Sequence, residues 1–165
     1  MSTLYVDNLE PNLGSQVEIP DLKPLAGSVI NQELVTTTTS VTVTTSTLTS
    51  VWTPSYTPVS NSSYVFATFV LNFNPYKSTG ADARFHYKIY QNNSLVIDTD
   101  TVGVYDYGNS GNWTKLKYTE VVKYTNSATT AIPYDVQLST QTLALSVTIN
   151  SNSTQSQVLF TEIAQ

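Results

Sequence analysis

From Gly27 onward apolar side chains recur at every second position, and the spacing of an amphipathic helix is hard to find. The strongest stretch runs from Tyr64 to Phe73. Val65, Phe69, Leu71 and Phe73 share one face and Phe66 and Val70 the other, which predicts a central strand covered on both sides. Arg84 to Tyr90 alternates with Phe85, Tyr87 and Ile89 facing one way. Gln91-Asn92-Asn93-Ser94 then predicts a turn into Leu95-Val96-Ile97, the pattern of a hairpin. Further strands are predicted over 101–105, 115–124, 134–139, 142–149 and 157–163. Upstream, Val29, Ile30 and Leu34 open a first strand. The Thr-rich run 36–50 carries alternating Val41 and Val43, although its Thr36-Thr37-Thr38-Thr39 block suits a loop equally well. Pro54, Pro58 and the Ser/Asn cluster after them fit an extended edge segment ending in a turn. About eight or nine strands joined by polar turns predict an all-β fold, an antiparallel two-sheet β-sandwich of the jelly-roll kind over residues 26–165.

Residues 1–25 break this pattern. Leu4, Val6, Leu9, Leu13, Val17 and Ile19 are scattered among Pro, Gly, Asn and Asp, with too little apolar mass to form a core of their own. A segment of this kind is expected to be a short extended N-terminal arm that winds against copies of itself or docks on a larger body. Assembly therefore leads catalysis as the expected theme.

Composition narrows the field. Only 12% of the 165 residues are charged while 40% are hydrophobic, a balance that favours packed sheet over disorder. A net charge of −5, with seven basic residues spread along the chain, lacks the cationic patch that nucleic acid requires. The absence of cysteine excludes disulfides and thiolate metal sites. Met1 to Asp7 shows no basic stretch followed by an apolar one, so cytoplasmic assembly is expected rather than secretory export. No apolar run approaches the ~20 residues of a membrane helix, so membrane insertion is not expected.

Little points to chemistry. The single histidine, His86, alternates with Arg84 and Lys88, as an ordinary strand residue on a polar or interface face would. No nucleophile-elbow, zinc-binding or phosphate-cradling pattern occurs. Asp98 and Asp100 share a strand face and Asp106 follows, but the spacing lacks the further ligands of a calcium loop, and a solvated edge explains them better. No catalytic residue, metal or cofactor is therefore expected. The richest candidate for recognition is the segment 105–113, where Tyr105, Tyr107, Asn109, Asn112 and Trp113 combine flat rings that can stack on a ligand, such as a glycan or protein, with amides that take hydrogen bonds. Equally, Trp113 suits a plug at one end of the sandwich.

Several stretches in order resemble a known family: Ser2 to Leu9, Val17-Glu18-Ile19-Pro20, Gly27-Ser28-Val29-Ile30, Pro58 to Val65, and the closing Leu159-Phe160-Thr161-Glu162-Ile163-Ala164. Together, and loosely over the whole chain, they are similar to small virion fibre proteins of tailed phages, notably those of cyanobacteria and marine bacteria. The resemblance implies an anchoring arm that holds other virion proteins, followed by a trimeric β-sandwich head used in host attachment. It also implies a location in the virion. Tyr64, Tyr90, Tyr118 and Tyr124 are candidates for a three-fold seam, or simply for tyrosines that cap a sheet with the hydroxyl in water. A capsid decoration (cement) protein and a carbohydrate-binding module are the alternatives.

Overall fold

A computed structural model describes residues 24–77, 83–104, 115–141 and 144–165. Its strands are β1 (Val29–Thr37), β2 (Val41–Val43), β3 (Thr49–Trp52), β4 (Ser55–Tyr56), β5 (Ser63–Lys77), β6 (Ala83–Gln91), β7 (Ser94–Val104), β8 (Leu116–Asn126), β9 (Ile132–Thr140), β10 (Ala144–Ile149) and β11 (Ser156–Ala164). All their pairings are antiparallel. In the first sheet β5 pairs with β8 on one side and with β11, then β10, on the other; β1 lies outside β11, and β2 outside β10. The second sheet runs β3-β9-β6-β7, with β4 continuing the β3 edge along β9.

Treating the broken strands as single positions leaves two four-stranded sheets. The chain visits them in the order first, second, first, second, second, first, second, first. That interleaving is the double Greek key of a jelly roll. The predicted sandwich is thus observed. The long Thr-rich run contributes only the ends of β1 and β3 and the three residues of β2, because its Ser and Thr fill the connections.

Period-two alternation accounts for the core. Along β5, Val65, Ala67, Phe69, Leu71 and Phe73 are buried, as are Phe85, Tyr87 and Ile89 on β6 and Tyr134, Val136 and Leu138 on β9. Burying each large side chain stabilises by roughly 1.5–3 kcal/mol. Rings interlock between the sheets: Phe69 meets Tyr134 edge-on at 5.5 Å, Tyr56 stacks on Phe160 at 4.9 Å, and Phe73 lies 5.3 Å from Phe85. Tyr118 and Tyr124 join this interior rather than an outward seam, since their register partners on β5 are the inward-facing Leu71 and Val65. The β6–β7 hairpin closes through Asn92 and Asn93 at φ 48° and 63°, the pair of left-handed residues that a two-residue turn needs to match strand twist.

One expectation changes. Among the described residues β5 is covered on a single face, and Phe66 and Val70, predicted to be buried on the other, are only half-buried.

Candidate functional site

The two ends of the sandwich differ. Pro24 leads into β1 at the end where β11 finishes, and Gly27 and Ser28 tie the two strands together: the Gly27 amide donates to Ala164 O and the Ala164 amide to Ser28 O, both at 2.9 Å. Gly27 sits at φ 85°, where a side chain would be strained. The connections 57–62, 92–93 and 127–131 cluster at this same end. At the opposite end β2, β5, β7 and β9 finish and β3, β6, β8 and β10 begin.

A buried carboxylate organises the end near Pro24. Glu162 occupies an inward position of β11 and is 0% exposed. Its Oε1 accepts from the Ser60 amide at 2.9 Å and the Ser63 hydroxyl at 2.6 Å; its Oε2 accepts from the Tyr56 hydroxyl at 2.6 Å and the Val59 amide at 2.8 Å. Burial works to raise the Glu162 pKa, but these four donors outweigh it and hold the carboxyl below its ordinary range. Tyr56 is affected in the other direction, its hydroxyl pushed up by burial and by the adjacent Glu162. With both oxygens saturated and no exposure, Glu162 is a structural anion that pins the 57–62 loop to β11. The pinned loop forms one wall of an open groove of about 810 Å³, shared with Pro24, Ile30, Thr129 and Gln165.

Other polar groups also bind strand to strand. The buried Tyr87 ring spans the sandwich from β6, and its hydroxyl donates to Glu120 on β8 at 2.6 Å. Burial, then Glu120, pushes this hydroxyl's pKa up. On the outer face of the second sheet, Asp98 pairs with Lys88 at 2.8 Å and His86 at 2.7 Å. The lysine first and the histidine second hold the Asp98 carboxyl below its usual range. His86 therefore sits on the polar face expected of it, and Asp98 is an ion-pair partner instead of a bare solvated edge. Among the described residues no group of three or more His, Cys, Asp or Glu side chains could hold a metal ion, and no helix is long and apolar enough to cross a membrane.

Where β10 passes into β11, Asn150, Asn152 and Ser153 take left-handed conformations. Asn150 holds this junction by donating to Thr39 O at 3.1 Å and accepting from Ser156 at 2.6 Å. Beside it a cleft of about 360 Å³ is lined by Ser40, Thr42, Asn74, Thr148, Ser151 and Asn152, and the buried Asn74 Oδ1 finds no partner among the described residues.

The predicted recognition residues Tyr105, Tyr107, Asn109, Asn112 and Trp113 lie outside the described residues, as do the arm residues Leu4, Val6, Leu9, Leu13, Val17 and Ile19. The described strands still fix where those segments attach: the arm at Pro24, the 105–114 segment between β7 and β8 at the far end. Sequence reasoning missed the Glu162 network. The signal was an acidic residue in an otherwise apolar closing strand, with the Pro58-Val59-Ser60 turn far away in sequence.

No protein-family model and no curated protein matches the chain. Among solved structures it is similar to VP2 of infectious bursal disease virus in a subviral particle, with TM-score 0.43, 14% identity, and coverage of 92% of this chain and 38% of that one. The same virus's T=1 particles give TM-score 0.39 and 13% identity over 92% of this chain and 41% of theirs. Dimeric latent PorU from Porphyromonas gingivalis gives TM-score 0.42 and 12% identity, over 87% of this chain and 14% of that one. The chain thus spans less than half of each of these proteins. At such identities and scores the likenesses carry no conclusion about activity, and the jelly-roll assignment rests on strand order alone.

Proposed function

We propose that the chain is a structural protein of a virion: the head of a fibre or spike of a tailed phage, held to the particle by residues 1–25 and presenting its far end to the host. The observation that supports this reading is that the described strands flanking residues 1–23 and those flanking 105–114 end at opposite ends of the jelly roll. The arm joins at Pro24, whereas the Tyr- and Trp-bearing segment 105–113 connects β7 to β8 at the opposite end. An anchored head needs that polarity, and loops on a rigid sandwich are the usual seat of recognition. Jelly rolls serve as viral capsid, lectin and cupin domains, so the fold is compatible with the reading without deciding it. Catalysis has no support in the described residues, where the best-organised carboxylate is sealed by four donors.

Copies of the head are proposed to assemble. The three-fold seam implied by four tyrosines loses two of them, Tyr118 and Tyr124, to the interior. The test is made on purified particles. Few copies, and loss of incorporation when residues 1–25 are deleted, are the expected results. A copy number matching the capsid lattice would make this a cement protein, and full incorporation of the truncated chain would remove the anchoring role. A glycan screen with Trp113→Ala as control tests the presenting end; binding unchanged by the substitution excludes that segment.

A further inference from the structure

An antiparallel sheet with one wet face normally places polar side chains there. The outward face of the first sheet follows this rule only in half of its positions: of the sixteen in its four rows, Thr, Gln and Lys take eight and Val, Leu, Ile, Phe and Tyr the other eight. By register, Leu34, Leu159, Thr68 and Val121 form one row straight across β1, β11, β5 and β8. Leu34 is 57% exposed, Val121 56%, and Val29, two rows along on β1, 55%. On β5, the half-buried Phe66 and Val70 flank the row on either side. Across the four rows from Val29 to Thr36 the sole charged side chain is Lys123, whose ammonium lies 3.9 Å from the centre of the Tyr64 ring. Aliphatic and aromatic side chains with little charge are the composition of an interface core.

We propose that a second copy of this chain covers this face, sheet against sheet. The argument for a copy over another partner is self-complementarity. Turned over about a two-fold axis along the strands, Leu34 comes over the partner's Val121 and Lys123 over the partner's Gln32. About a two-fold across the strands through the Leu34 row, Leu34 comes over the partner's Leu34 and Lys123 over the partner's Thr119. Either way the apolar row buries against itself, and Lys123 meets a neutral hydrogen-bonding side chain. The chain carries a net charge of −5, yet these four rows bring no carboxylate into the contact.

Size is at the lower limit. Four strands of seven paired residues cover ~19 Å by ~23 Å at ordinary strand spacing and rise, or ~440 Å² of projected area per copy. A pair then buries roughly 900 Å², close to the ~1,000 Å² that marks a specific contact. This inference does not depend on where the protein works.

The solution mass of the full chain tests it. At tens of micromolar the parent is expected at twice its 18.1 kDa chain mass. The double variant Leu34→Lys/Val121→Lys is expected at the mass of one chain, with an unchanged far-UV spectrum. Leu95→Lys, an exposed position on the second sheet, is expected to leave the pair intact. Because the chain has no cysteine, engineered ones report the geometry directly. Cross-linking of Leu34→Cys or Val121→Cys alone indicates the axis across the strands; cross-linking only of the double variant indicates the axis along them. A parent mass of one or three chains, a pair that survives the two lysines, or no cross-link in any of the three cysteine variants overturns the proposal.

Discussion

Replacing Glu162 by Gln changes one oxygen of a buried carboxylate into an amide nitrogen. In either orientation that nitrogen faces one backbone amide, Val59 or Ser60, and one hydroxyl, Tyr56 or Ser63. The hydroxyl can turn to accept, but the backbone N–H cannot. One orphaned buried N–H costs about 1–3 kcal/mol, and loss of charge assistance weakens each of the other three bonds by roughly 1 kcal/mol. Relief of the carboxylate's desolvation offsets part of this, leaving a net loss of about 2–4 kcal/mol. For a chain of this size Tm falls by about 5–12 °C. Thermal and urea unfolding followed by circular dichroism measure the loss. Hydrogen exchange at the Val59 and Ser60 amides shows whether it is local to the 57–62 loop. A variant as stable as the parent, with both amides still protected, would refute the view that Glu162 is an ionised anchor.

The same carboxylate sets a pH dependence. Its folded-state pKa lies below the unfolded value of about 4.3, so its contribution is complete above that value and disappears as pH falls through the folded-state pKa. The Tm difference between parent and Glu162→Gln is expected to shrink in that acid window. Tyr87→Phe keeps the ring in the core but removes the hydrogen bond to Glu120, for an expected loss of about 1–2 kcal/mol in urea unfolding. At the β6–β7 turn, Asn93→Val is expected to destabilise by roughly 1–2 kcal/mol because φ there is 63°, whereas Asn93→Gly is tolerated; equal stability of the two would contradict the left-handed turn.

Much of the architecture could be read from residue order, because a strand with one buried face must alternate. Val65 to Phe73, Phe85 to Ile89 and Val158 to Phe160 announce both their strands and their inward faces. The hairpin at Asn92-Asn93 was legible for a similar reason, since few residues tolerate positive φ. Low charge with abundant apolar residues likewise implies packed sheet, and the absence of cysteine leaves packing as the source of stability.

Other features depended on partners distant in the chain. Nothing near Glu162 in sequence distinguishes a solvated glutamate from a buried one. Its donors come from residues 56–63: the pairing of β11 beside β5 brings Ser63 and the loop before it within 3 Å, and the packing of the second sheet on the first brings Tyr56. Tyr118 and Tyr124 belong to a strand whose alternation is ambiguous, with apolar residues on both faces, so register against β5 decided which way they point. The same register assembled Leu34, Leu159 and Val121 into one row. Periodicity is a local property and survives in a one-dimensional reading, whereas the sharing of a face or of a hydrogen bond between distant strands is set by the pairing that the whole hydrophobic core selects.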